Sequence, residues 1–259
     1  MLRVMTWNIR NGGQDRGGPD RRALLARVVA AHRPDVLALQ ELRGLDVARF
    51  AADAGLTPHL ARSPFGQPVA ILVHPRWPTR AAGPVRRPFH HAAQRVTLGT
   101  DAGPLVVLNT HFYPYRGGRR LVEARWAATA LRRARTALAL LAGDLNTLAP
   151  YADHAASLER LTPAYRRRHL RRDGRRVDTR AVARLLDAGL VDLAATAGPT
   201  VPTAHGCTPE FADMRLDYLL ATPALAAHLV DTHVIRTPDT YQASDHHPLQ
   251  ATFTLTHPL

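Results

Sequence analysis

The chain has 259 residues, 46% of them hydrophobic and 21% charged, a composition ordinary for a soluble globular protein and long enough to bury a sizeable core. Its single cysteine, Cys207, excludes an internal disulfide framework and favours a reducing compartment, and no run approaches the ~20 apolar residues of a membrane span. The formal net charge of +13 points toward polyanions such as nucleic acid, anionic lipid surfaces or phosphorylated metabolites. All 34 basic residues are arginine, however, and with heavy use of Ala, Gly, Pro and Leu this fits a coding bias that would add charge without function. The N-terminus, MLRVMTWNIRNGG, breaks at Asn8 and lacks the apolar stretch of a signal peptide, so a cytoplasmic protein without a transmembrane segment is expected.

In chain order, LRVMTW (2–7) reads as a buried strand ending at Asn8, followed by the turn-rich NGGQDRGGPD. Apolar residues at 24, 25, 28 and 29 predict an amphipathic helix, with Asp20 as a candidate N-cap and Pro34 as its stop. DVLALQE (35–41) is a strand carrying Glu41 at its end, and PVAILVHP (68–75) is a strand bounded by prolines. QRVTLGT (94–100) and PLVVLNTHF (104–112) flank a DAGP turn and predict a hairpin. Residues 117–135 and 178–190 have helical periodicity. TALALLAGDLN (136–146), RLDYLLAT (215–222), LVDTHVIR (229–236) and HPLQATFTL (247–255) read as strands. There is no repeat, low-complexity linker or clear boundary, so residues 1–259 are expected to form one α/β domain with mixed sheets.

Polar residues fall at strand ends: Asn8, Glu41, Asn109-Thr110-His111, Asp144 with Asn146, Asp217, and Asp245-His246. Each has a bland explanation as a turn former or surface group, but strands bring distant residues together at one sheet edge, where α/β folds place their sites. Glu41, Asp144 and Asp245 are hard oxygen ligands, and Asn8 and Asn146 add amide oxygens, a shell suited to Mg²⁺ or Mn²⁺ rather than zinc. His111 and His246 can move protons or donate to phosphate oxygens near neutral pH, and Asp217 can fix an imidazole tautomer. Carboxylates, a magnesium-type ion, histidines and arginines are what hydrolysis of a phosphate ester needs.

TWNIRNG (6–12), LQE (39–41), NTHF (109–112), GDLN (143–146), RLDYLL (215–220) and SDHHP (244–248) together resemble the motifs of the endonuclease/exonuclease/phosphatase superfamily. The resemblance spans residues 6–248 and implies a four-layer α/β sandwich, two mixed β-sheets packed face to face with helices on the outer faces. It also implies Glu41 as the principal metal ligand, with Asn8 and Asp245 completing the shell or a second position. Asp144 and Asn146 resemble the pair that orients or deprotonates the attacking water, and His246, held by Asp217, the phosphate-contacting histidine. His111 resembles an acid or phosphate donor. Asp144 and His246 both remain candidates for the base. His247 should face away from the site, since strand side chains alternate.

The substrate is less legible. LRG with Arg43 after the glutamate, and Met214 before RLDY, depart from the pattern of dedicated abasic-site endonucleases. YRRRHLRRDGRR (165–176) places seven arginines between GDLN and RLDY, and Arg167 and Arg171 are candidate contacts to a polyanion. Arg95, on the strand before NTHF, is a candidate phosphate ligand, and Tyr113, Tyr115 and Arg116 are candidates to line the cleft. The expected activity is a metal-dependent phosphodiesterase on nucleic acid, most simply DNA. The alternatives are hydrolysis of a phospholipid, inositol phosphate or other small phosphate ester, and a non-catalytic polyanion-binding module. No protein partner is implied.

Overall fold

The structure is a computed structural model and describes residues 1–206 and 209–257; Cys207, read above as a lone thiol, lies outside them. In chain order its strands are β1 (Leu2–Asn8), β2 (Val36–Gln40), β3 (Thr57–Ala61), β4 (Val69–Val73), β5 (Thr79–Pro84) and β6 (Ala93–Thr100). They continue with β7 (Gly103–His111), β8 (Leu138–Asp144), β9 (Val191–Asp192), β10 (Asp217–Ala221), β11 (Leu229–Val234) and β12 (Leu249–Phe253). Two six-stranded sheets result, ordered β11-β12-β1-β2-β4-β3 and β5-β6-β7-β8-β10-β9. Each has one parallel pair at its centre, β1 with β2 and β7 with β8, among antiparallel neighbours.

Alternation along the strands builds the layers. In β1, Leu2 and Val4 join Val36 and Ala38 of β2, Val107 of β7, and Leu140 and Ala142 of β8 in a core between the sheets. Met5 and Trp7 point the other way, against Leu25, Val28 and Val29 of α1 (Arg22–His32) and Phe50 and Ala51 of α2 (Val47–Asp53). On the second sheet, Val106, Leu108, Leu141 and Leu220 pack outward on Ala124, Ala127 and Leu131 of α3 (Gly117–Arg133) and Val182 and Leu185 of the helix Arg180–Leu186. The order helix, sheet, sheet, helix is the expected four-layer sandwich. Among the described residues no helix is long and apolar enough to cross a membrane.

The expected strands all form, as does the 94–112 hairpin, where Thr100 pairs with Gly103. Asp20 is not the N-cap of α1; Arg21 holds that position, and Asp20 accepts from the Arg22 N–H at 2.9 Å. Three strands escape the sequence pattern. β3 (TPHLA), half-buried, β5 (TRAAGP), largely open to solvent, and the two-residue β9 are sheet edges, and the pairing that makes them strands comes from their neighbours.

The inward-facing parity ends in polar residues at one edge. Continuing Val4, Val36, Val107, Leu140 and Leu219 along their strands reaches Asn8, Gln40, Asn109 with His111, Asp144 and Asp217. Gln40 and Asn109 join the two sheets there: Gln40 Nε2 donates to Asn109 Oδ1 at 2.7 Å, and Asn109 Nδ2 donates to the carbonyls of Leu39 and Ala70. The sheets are thereby fixed against each other directly below the polar edge.

Candidate active site

Asn8 and Asp144 end the central parallel strands of opposite sheets and meet: Asn8 Nδ2 donates to Asp144 Oδ2 at 3.0 Å and to Glu41 Oε1 at 3.1 Å. Glu41 would face outward by strict alternation after Gln40. A left-handed backbone, φ 61°, takes it out of the strand and returns its carboxylate to the cleft. Such a conformation costs a residue with a Cβ about 1 kcal/mol and persists where surrounding bonds over-determine it. Here the Glu41 carbonyl accepts from Gly12 N–H at 2.5 Å, and Oε2 accepts from Gln67 Nε2 at 2.8 Å and Asn11 N–H at 3.3 Å.

Gly143 is required by the next step. Its φ is 141°, and a Cβ there would sit 1.9 Å from the Thr110 carbonyl oxygen. The close passage lets β8 deliver Asp144 beside His111, whose Nε2 lies 3.4 Å from Asp144 Oδ2. Asp144 Oδ1 accepts from Asn146 N–H at 2.9 Å, and Asn146 Nδ2 donates to the Phe112 carbonyl.

The helix Pro238–Ala243, capped by Thr237 and Thr240, ends immediately before SDHHP and aims it at the same edge. Trp7 Nε1 donates to the His246 carbonyl at 2.8 Å. His246 Nδ1 bonds Asp217 Oδ2 at 2.8 Å, and its Nε2 lies 3.8 Å from Asp144 Oδ2. His247 turns the opposite way, edge-on to Tyr241 and in contact with the Thr240 hydroxyl. Asp245 Oδ2 receives Arg10 Nη1 at 2.9 Å, and its Oδ1 accepts from the Ser244 hydroxyl.

The charges are set by burial and by neighbours. Burial, reinforced by Asp217 against the pull of His246, raises Asp144 to about 7. Burial and then Asp245 raise Glu41. Burial opposes charge on His246, but Asp217 and then Asp144 outweigh it and lift the imidazole well above its ordinary value. Burial and the neighbouring His91 hold His111 well below its own, so His111 is neutral and His246 is the imidazolium. Asp144, Asp217 and His246 offer ligand atoms within 4.8 Å of one another and form a possible metal-binding trio. The Asp217–His246 bond already uses one atom of each, which suits the trio better to proton transfer.

A cleft of about 300 Å³ opens over these groups, lined also by Tyr115, Arg168, Glu210 and Phe211. Nine sequence candidates converge in or beneath it: Asn8, Glu41, His111, Tyr115, Asp144, Asn146, Asp217, Asp245 and His246. Five do not line it. Arg95 pairs with Leu108, whose side chain is on the helix-covered face, so Arg95 lies outside the sandwich with Arg87, Trp126 and Arg133. Its parity is opposite to that of Val96, which faces the inner core. Tyr113 and Arg116 line a neighbouring hollow with Phe65 and His90, and Tyr115 is the aromatic that reaches the cleft. Arg167 is exposed and Arg171 half-buried, both outside the cleft; Arg168 enters it, with Tyr115 at 5.0 Å and Tyr165 at 4.6 Å from its guanidinium. Gln67, His91 and Arg10 also belong to the cleft. His91 stacks on His111 at 3.9 Å, and its Nδ1 accepts from Gln67 N–H. Arg10 stood in the TWNIRNG motif and His91 in a His-His pair, but Gln67 carried no sequence signal.

The family model for the Endonuclease/Exonuclease/phosphatase family matches residues 5–246. The chain belongs to that family. Its members are phosphoester hydrolases, and this member is an enzyme of that class, which removes the reading as a non-catalytic module. Solved structures share the fold. An AP endonuclease from Archaeoglobus fulgidus is 20% identical with a TM-score of 0.70, covering 98% of this chain and 100% of its own. The 3′ phosphatase NExo from Neisseria, bound to product DNA hairpin, is 21% identical with a TM-score of 0.69, covering 98% and 99%. TDP2 from D. rerio, complexed with single strand DNA product, is 18% identical with a TM-score of 0.71, covering 98% of each chain. No curated protein sequence matches the chain.

Proposed function

We propose that residues 1–259 form one catalytic domain, a divalent-metal-dependent phosphodiesterase acting on DNA. The observation that carries this reading is the unbroken line of side chains Asp217–His246–Asp144–Asn8–Glu41 across the two sheets. The fit to a divalent cation rests on Glu41. It is a half-buried carboxylate lining the cleft, whose oxygens accept only from the neutral N–H groups of Asn8, Asn11 and Gln67, with no ion pair among the described residues. Glu41 and Asn8 would hold the ion with Asp245 alongside, an all-oxygen set suited to Mg²⁺ or Mn²⁺. When bound, the ion supplies polarisation of the phosphoryl oxygen and neutralises the leaving oxyanion.

The protein groups have separable tasks. Asp144, poised at about 7, accepts a proton from the attacking water near neutral pH, and the Asn146 N–H on Oδ1 fixes its carboxylate plane. His246 keeps Nδ1–H on Asp217 and presents Nε2–H to the phosphate as charge builds in the transition state. Neutral His111 orients the other side of Asp144 without adding a competing positive charge.

DNA is favoured by the arginines of 166–176 beside the cleft, of which 167, 172, 175 and 176 are exposed, and by Tyr115 and Phe211, which offer stacking faces. The DNA products bound by the Neisseria and D. rerio proteins of this fold support the same reading. One observation favours a small phosphate ester instead: the cleft is small, and Glu210 pairs with Arg168 at its rim. A parallel hydrolysis panel separates them, using plasmid, single-stranded and abasic DNA, RNA, a phosphoinositide and a generic phosphodiester with Mg²⁺, Mn²⁺ or EDTA. Asp144→Asn serves as the contamination control. Metal-dependent cleavage of DNA that the variant lacks is expected; cleavage confined to the lipid or generic ester would overturn the DNA assignment.

A further inference from the structure

The segment between Asn8 and the first helix is built around one side chain. Arg10, Asn11, Gly12 and Gly13 all have positive φ, from 47° to 81°, a run that chains with Cβ atoms avoid. The loop is held from both sides. Arg21, only 2% exposed, donates to the carbonyls of Arg10 and Ala243, tying the loop to the segment that carries Ser244 and Asp245. Asp15 accepts from Asn11 Nδ2 at 3.0 Å, from Arg21 at 3.3 Å and bonds His205 Nε2 at 3.0 Å. The result is a guanidinium fixed at two points: Arg10 Nε on Asp15 Oδ1 at 3.1 Å and Nη1 on Asp245 Oδ2 at 2.9 Å. Its backbone N–H donates to Asn8 Oδ1 at 3.0 Å.

Asp245 and Glu41 therefore differ although both line the cleft. Asp245 has a cation of its own, and its second oxygen takes the Ser244 hydroxyl. Glu41 has only neutral donors among the described residues.

We propose that Arg10 is the resident second cation of this site: it occupies the position beside Asp245, so the enzyme binds a single divalent ion, at Glu41, and keeps a guanidinium facing the substrate phosphate. The inference rests on the metal-dependent reading above and assigns the cation count of that same site. A guanidinium differs from a second ion in consequence. It is never lost to chelators, its charge is independent of metal supply, and it offers directional N–H bonds to phosphate.

The test is a Mn²⁺ titration of the full chain, with free ion followed by electron paramagnetic resonance. Wild type should bind one ion, and Glu41→Gln none. Arg10→Ala and Arg10→Gln should each gain a second, weaker ion, which Arg10→Ala with Asp245→Asn should lose again; Arg10→Lys should stay at one. Two ions in wild type would overturn the proposal by itself, whether or not the Arg10 variants fold. A single ion in folded Arg10→Ala and Arg10→Gln would overturn it too, while leaving the metal-dependent reading intact. Wild type that binds no ion would sink both, and a single ion retained by Glu41→Gln would sink the assignment of Glu41 on which both rest.

Discussion

Replacing Asp217 with Asn probes the charge assignment at its centre. The carboxylate is fully buried, bonds His246 Nδ1 at 2.8 Å, and is the largest influence raising that imidazole against the cost of burial. Asn keeps the size but not the charge. Its amide either accepts from Nδ1–H as a neutral group or turns its NH₂ toward Nδ1 and forces the proton to Nε2 of a neutral ring. Both outcomes remove the imidazolium that meets the developing charge. Loss of a positioned acid of this kind lowers kcat by about 10²–10⁴-fold, roughly 3–5 kcal/mol of transition-state stabilisation. KM should move little, because Asp217 lies beneath the cleft rather than in it. The pH profile supplies a second readout. His246 is charged below a raised folded-state value, so activity that needs the imidazolium is lost as pH rises through it; without Asp217 that basic limb shifts to lower pH. The assay is steady-state hydrolysis of a generic phosphodiester from pH 5 to 10 with Mn²⁺, beside thermal melts of both proteins. A folded variant with kcat within about threefold of wild type and an unmoved basic limb would refute the assignment of His246 as a cation held by Asp217.

Gly143→Ala should destabilise the fold by more than about 3 kcal/mol, because the added Cβ collides with the Thr110 carbonyl and the backbone is in a region that Ala avoids; urea unfolding measures it. His91 and His169 are buried and held down to about 3, His91 by burial and His90, His169 by burial and Arg120. The unfolded chain takes up their protons below about 6.5, so stability should fall as pH drops from there toward 3, by about 2 kcal/mol per histidine at pH 5, and His169→Gln should flatten the slope. Changing Arg166, Arg167, Arg171 and Arg172 to Gln should weaken DNA binding and lower the slope of log K against log salt by about 1 for each phosphate no longer neutralised; an unchanged slope would return the segment to a solvated surface. Mn²⁺ at about 100 times its Kd should stabilise the protein by about 2.7 kcal/mol in melts, an effect that EDTA and Glu41→Gln should both abolish.

Sequence alone determined the periods, and with them nine of the strands and the two long helices; the sandwich was legible through the family resemblance of the motifs. It also singled out eight polar residues at or near strand ends, which the fold brings to one edge. Strand alternation even contained the correction for Arg95: Val96 faces the core, so Arg95 cannot. The tertiary structure decided what depends on departures from periodicity. Glu41 reaches the cleft only because its φ is 61°, and Arg10 only because four left-handed residues fold it back onto Asp245. The edge strands β3 and β5 exist through the neighbours they pair with, not through their own composition. Of seven arginines in 165–176, Arg168 alone lines the cleft, a choice made by Tyr115, Tyr165 and the buried Arg120, whose Nη2 holds the Arg168 carbonyl at 2.5 Å. Period and residue type are local and survive in a string of letters. Left-handed turns, edge pairing and the partner of each charge are set by contacts between segments far apart in the chain, and only the folded arrangement resolves them.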